Sequence, residues 1–214
     1  MFGGSCYTTA MLSGFSFTDI IVLIVSLLIA MTIHEAMHAY VGYLLGDTTA
    51  AEQGRISLNP LKHIDPIMTV LLPLVTLVFL HAPVLAARPV PFDPERVRYG
   101  EFGAALLALA GPVANLVLAI LGALIFRFTD VSAFFANALF IFVSLNVSLF
   151  VFNLVPIPPL DGSRVLYAFA PEGFQRFMRQ LEPIGMFLIF TLVLLSGFGG
   201  ILTNLNLFVL NTLL

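Results

Sequence analysis

The chain has 214 residues, of which 59% are hydrophobic and only 10% are charged. Soluble domains carry about 25% charged residues, so this composition excludes an ordinary water-soluble globule and makes a bilayer the better solvent. Twelve acidic against nine basic side chains give a net charge of −3, and the lack of a basic stripe argues against a nucleic-acid partner.

A transmembrane helix needs about 20 mostly apolar residues. On that rule the spans fall at 18–45, 66–82, 101–127, 133–154 and 183–198. No basic region precedes the first run and no cleavage site follows it, so it is expected to be retained. The one cysteine, Cys6, excludes an internal disulfide. Residues 46–65 are polar, with Gly46, Gly54 and Pro60 as breakers. Within them Arg55-Ile56-Ser57-Leu58 alternates, which predicts a short strand or hairpin. The second span begins after Pro66 and contains Pro73, so it is expected to be tilted, kinked or only partly crossing. Residues 82–100, with Pro83, Pro89, Pro91 and Pro94, read as an extended loop. Pro156, Pro158 and Pro159 interrupt the helix that precedes them. The last apolar stretch, 201–214, carries Asn204, Asn206 and Asn211 and either completes a sixth span or lies along the interface.

The fold class expected is therefore an all-α polytopic membrane protein with five to six transmembrane helices and a small strand or hairpin segment after the first. One domain, 1–214, is expected, with a core at about 18–170 and C-terminal helices at about 180–214. Five spans place Arg88, Arg96, Arg98, Arg164, Arg176 and Arg179 on one side, with Arg55, Lys62 and Arg127 opposite. The positive-inside tendency then puts the N-terminus in the cytoplasm.

The chemistry begins at His34-Glu35-Ala36-Met37-His38, an HExxH sequence inside the first span. Residues i and i+4 share a helix face, so both imidazoles can reach one metal ion. Glu35 is turned about 100° from His34, which suits it to a water beside the metal better than to ligation. Ionisable groups at membrane depth each cost about 2.5–3.5 kcal/mol or more on insertion scales, and a bound cation offsets that. The plainer reading is three side chains hydrogen-bonded within a polar seam.

A hydrolytic zinc site usually has three protein ligands and one open position. His63, His81, Asp65, Asp47 and Asp161 are the candidates for the third. His63 and Asp65 lie in a polar loop, and His81 ends the second span, where a histidine needs no special account. Asp161 follows an apolar span and the prolines of NLVPIPPLDG, residues 153–162. Irregular backbone near membrane depth is tolerated where it lines a polar cavity. Spacing leaves two readings open for Asp161, a ligand or the N-cap of a helix at 162–170.

HExxH together with Asn153, Pro156, Asp161 and Gly162 resembles the site-2 protease family of intramembrane zinc metalloproteases. That family pairs HExxH with an NxxPxxxxDG-type motif on a later helix. Residues 54–66, GRISLNPLKHIDP, and 109–116, LAGPVANL, match further family stretches. The resemblance implies one Zn²⁺ per chain held by His34, His38 and Asp161, with Glu35 catalytic. It also implies that Asn153 lies near the metal and holds substrate or stabilises an oxyanion. For Asn153 the alternative is a bond to backbone groups freed before Pro156. For Asn115 a packing role and a catalytic one stand level. The family implies transmembrane protein substrates in a lipid bilayer, in a prokaryotic plasma membrane. Without room for a PDZ or CBS module, the chain is expected to be a minimal core. Segment 54–58 is expected to take an extended substrate by strand addition. Two rivals remain in other classes: a membrane metal or ion transporter, and a scaffold that binds membrane helices without cutting. The substrate and the oligomeric state are not legible.

Overall fold

The computed structural model describes residues 16–63, 90–194 and 196–214. Helix α1 runs Phe17–Leu44, and α2 is the single turn Thr49–Glu52. Three long or middle-length elements then follow: α3 at Gly100–Phe128, α4 at Ala133–Asn153 and α5 at Asp161–Phe169. The chain ends in α6 at Glu172–Leu181, α7 at Gly185–Leu194 and α8 at Ser196–Leu213. Short 3-10 turns occupy Pro60–Lys62 and Glu182–Ile184. Helices α1, α3 and α4 are long and apolar enough to cross a membrane. At 1.5 Å per residue they measure about 42, 44 and 32 Å.

Local chemistry fixes the ends of α1. Ser16 and Asp19 form a reciprocal capping box, the Asp19 amide donating to Ser16 Oγ at 3.2 Å and the Ser16 amide to Asp19 Oδ2 at 2.9 Å. Asn137 Nδ2 then donates to Asp19 Oδ1 at 2.6 Å and pins the start of α1 to α4. At the other end Gly46 adopts a φ of 99°, which a side chain would resist. There the Asp47 amide donates to the Gly42 carbonyl and the Gly46 amide to that of Tyr43, a Schellman stop.

The helices pack through small and polar residues rather than large ones. Helix α1 buries Ser26, Ala30, Thr32, His34, Glu35, Ala36, His38, Ala39 and Gly42, while Ile20, Ile21, Ile24, Val25 and Ile29 stay exposed. Helix α3 repeats the arrangement, burying alanines and glycines and exposing Val113, Val117, Leu121 and Leu124. Lipid is as apolar as leucine, so membrane helices associate through close backbone packing and polar contacts. The α3–α4 contact further along is apolar, with Ala119, Ala123, Val143, Val147 and Val151 in one cluster. Leu202, Val209 and Leu210 of α8 close over it.

The three helices long and apolar enough to cross a membrane match the expected spans 18–45, 101–127 and 133–154 to within a residue or two. The expected span 66–82 lies outside the described residues. The stretch expected as 183–198 ends inside α8, and 201–214 belongs to that same helix. No strand is found among the described residues, so the expected strand or hairpin at 54–58 is corrected to an irregular loop. The reason is that the loop consumes its own backbone groups. The Arg55 amide donates to the Ala50 carbonyl, Lys62 Nζ to the Gly54 carbonyl and His63 Nε2 to the Ser57 carbonyl.

Candidate metal centre

His34 and His38 sit one turn apart on α1, both buried, with ring centroids 4.6 Å apart. Asp161 opens α5, after the segment that carries the chain round from the end of α4. Its Oδ2 lies 3.2 Å from His34 Nε2 and 3.3 Å from His38 Nε2. The two Nε2 atoms are 3.0 Å apart. Among the described residues these three side chains form one group able to hold a metal ion. The N-cap alternative for Asp161 does not hold, because Leu160 occupies that position and makes no side-chain cap bond.

The hydrogen bonds behind the rings decide what those three atoms are. His38 Nδ1 is 2.8 Å from the Leu107 carbonyl oxygen, which can only accept, so this nitrogen carries the proton. His34 Nδ1 is 2.6 Å from Asn115 Oδ1. Asn115 Nδ2 donates elsewhere, to Asn146 Oδ1 at 3.0 Å and to the Ala30 carbonyl at 3.3 Å, so its oxygen accepts from His34. In the neutral rings both Nε2 atoms then present lone pairs. Asp161 Oδ2 is buried with no hydrogen-bond partner. With both rings neutral, three acceptors converge there and repel one another, and a cation shared among them relieves this, either a metal ion or a proton that pairs one imidazolium with Asp161.

The geometry fits zinc. Zn–N and Zn–O bonds of about 2.0–2.1 Å in a tetrahedron set ligand atoms roughly 3.3 Å apart, against the 3.0, 3.2 and 3.3 Å edges here. Two glycines keep the space open. A Cβ on Gly111 would lie 2.3 Å from His38 Nε2 and 2.6 Å from His34 Nε2. One on Gly162 would strike the Leu154 carbonyl oxygen at 2.2 Å, so α5 can start against the end of α4 only with glycine there. Its role is this close approach and not a positive φ. Glu35, beside His34, is buried in the same seam.

The other candidates divide plainly. Asp47 is buried, but Thr49 Oγ1 and the Thr49 amide donate to its Oδ1, and the Asp93 amide donates to its Oδ2. It clamps the end of α1 to the segment entering α3 and is not part of the site. His63 is bonded to the Ser57 carbonyl within its own loop. Asp65 and His81 lie outside the described residues. Asn153 is half-buried at the end of α4, where its Nδ2 donates to the Leu149 carbonyl at 3.0 Å. Sequence reasoning left Asn115 undecided and missed Asn146; the signal for the latter was one carboxamide in the middle of an apolar span.

A membrane helical bundle that gathers HExxH and a distant aspartate around one coordination space defines the metallopeptidase class. Residues 128–196 match the family model for peptidase family M50. The chain is 37% identical over 187 residues to the Bacillus subtilis (strain 168) protein named "Putative zinc metalloprotease YwhC", covering 83% of this chain and 82% of that one. It is 28% identical to the Mycolicibacterium smegmatis protein named "Putative zinc metalloprotease Rip2", over 84% of this chain and 69% of the relative. The Mycobacterium tuberculosis (strain H37Rv) protein of the same name is 29% identical over 81% of this chain. No solved structure matches the chain. The chain belongs to peptidase family M50, the site-2 protease family. Membership supports a zinc metalloprotease with Zn²⁺ as its cofactor.

Proposed function

We propose that the chain is an intramembrane endopeptidase that hydrolyses peptide bonds within or near the transmembrane segments of other membrane proteins, as in regulated intramembrane proteolysis. The observation that carries this reading is the convergence of two imidazole nitrogens and a carboxylate oxygen, 3.0–3.3 Å apart, inside a bundle of apolar helices. In this reading the protein is multi-pass, with five to six spans, in a bacterial plasma membrane.

His34, His38 and Asp161 would hold Zn²⁺, which when bound lowers the pKa of water toward about 7 and polarises a carbonyl. Glu35 takes the proton of the attacking water and returns it to the leaving amine. The Nδ1 bonds to Asn115 and Leu107 keep both imidazoles in the ligating tautomer throughout. Asn153, where α4 gives way to the proline segment, holds the substrate backbone. A helical substrate hides its carbonyls in its own hydrogen bonds, so it must unwind locally before Glu35 can act.

Purified protein mixed with a transmembrane substrate tests this. The wild type cleaves, and Glu35→Gln loses cleavage by about 10²–10⁴-fold, the usual worth of a general base, while retaining its zinc. Cleavage at wild-type rate by Glu35→Gln would refute the assignment.

A further inference from the structure

Three helices meet in one buried chain of hydrogen bonds that ends on a metal ligand. Asn115 of α3 and Asn146 of α4 are both fully buried. Asn146 Nδ2 donates to the Phe142 carbonyl at 2.9 Å, one turn back on its own helix. That bond turns Asn146 Oδ1 outward, where it accepts from Asn115 Nδ2 at 3.0 Å. The Ala30 carbonyl of α1 takes the same Asn115 amide group at 3.3 Å. Both contacts demand a donor, so only the oxygen of Asn115 is left for His34 Nδ1, at 2.6 Å.

A carboxamide can be turned over, exchanging its oxygen for its amide. Turned over, Asn115 would present N–H groups to His34 Nδ1. The ring would then move its proton to Nε2, the atom facing His38 and Asp161, and ligation there would be blocked. His38 needs no such control, because its partner is the Leu107 carbonyl, which cannot be reversed. Nothing in HExxH itself selects the tautomer of His34.

We propose that Asn146, which touches neither ligand nor substrate, acts with the Ala30 carbonyl to fix the orientation of Asn115 and so the zinc-binding tautomer of His34. Phe142 orients Asn146, Asn146 orients Asn115, and Asn115 orients His34. Both asparagines are positioning residues. Partners of this kind behind a ligating histidine are typically worth 10–100-fold in metal affinity. The inference rests on the zinc reading of the site, and its test leaves proteolysis aside.

Zinc affinity is measured by chelator competition on the full-length chain in detergent, with thermal unfolding of each variant alongside. Asn115→Leu is expected to weaken zinc binding by about 10–100-fold. Asn115→Asp keeps an acceptor toward His34 but sets its second oxygen against the Ala30 carbonyl and Asn146 Oδ1, so affinity recovers to a value between Asn115→Leu and wild type. Asn146→Leu weakens binding in the same direction by less than Asn115→Leu. A merely structural role would make the two Asn115 variants equally weak. Wild-type affinity in folded Asn146→Leu overturns the relay, and this variant decides alone if Asn115→Leu does not fold. If the wild type itself takes up no zinc, the metal reading falls with the relay. If it does and Asn146→Leu matches it, only the relay falls.

Discussion

Asp47 and Asp161 each bury a carboxylate oxygen near the end of an apolar helix, and their surroundings are opposite. The oxygens of Asp47 meet donors: one hydroxyl and two backbone amides. Oδ2 of Asp161 meets the Nε2 atoms of two imidazoles whose Nδ1 atoms are bonded to Asn115 and Leu107. Burial alone therefore does not mark a ligand. A satisfied carboxylate is a clamp, and a carboxylate among lone pairs waits for a cation.

The largest expected effect comes from filling the space between the ligands. Gly111→Ala sets a methyl group within van der Waals overlap of both histidines, so zinc content and peptidase activity should fall together to background. Retention of full zinc by a folded Gly111→Ala chain would mean that the ligand atoms do not share this space.

Asp47 should behave the other way. Asp47→Asn places an amide against a backbone N–H, a mismatch worth about 1–3 kcal/mol, so thermal stability falls while zinc stoichiometry at neutral pH stays at the wild-type value. The acid limb sharpens the contrast. Burial opposes ionisation of Asp47, yet the Thr49 hydroxyl and amide and the Asp93 amide, helped by Arg96, hold its carboxyl below the usual range. A folded value below the unfolded one contributes stability that is complete at neutral pH. It is lost only as the pH falls below about 4 and through the folded value. Asp47→Asn should flatten that part of the stability profile measured by thermal melts; an unchanged acid limb would show that Asp47 does not carry it.

The smallest effect belongs at the rim of the clamp. Arg96 pairs with Asp93 at 3.2 Å and Glu52 at 3.7 Å, but all three groups are well exposed. Arg96→Met should cost less than about 1 kcal/mol, and the difference should vanish at high salt.

Much of this contrast was legible before any coordinates, and the parts that were not share a cause. HExxH puts two imidazoles on one helix face because i, i+4 spacing is geometry. The break at Pro156, Pro158 and Pro159 announces irregular backbone ahead of Asp161. Asp47 and Asp161 stood together as candidates because residue type says nothing about which donors arrive from elsewhere. The Leu107, Ala30 and Phe142 carbonyls that orient the site are backbone groups, invisible to any motif. Asn146 is one of several polar residues in α4, and only the packing of α3 brings Asn115 against it. The alternation at 55–58 misled because period two records side chains, while Lys62 and His63 take the carbonyls of Gly54 and Ser57 that a strand would need.

Metal content decides most directly between a ligand and a clamp. Elemental analysis of the detergent-purified wild type, Asp161→Ala and Asp47→Asn chains should give about one zinc per chain for the first and third and near none for Asp161→Ala, the pattern expected for three protein ligands at a hydrolytic zinc. Full zinc in Asp161→Ala, or its loss in a folded Asp47→Asn chain, would contradict it.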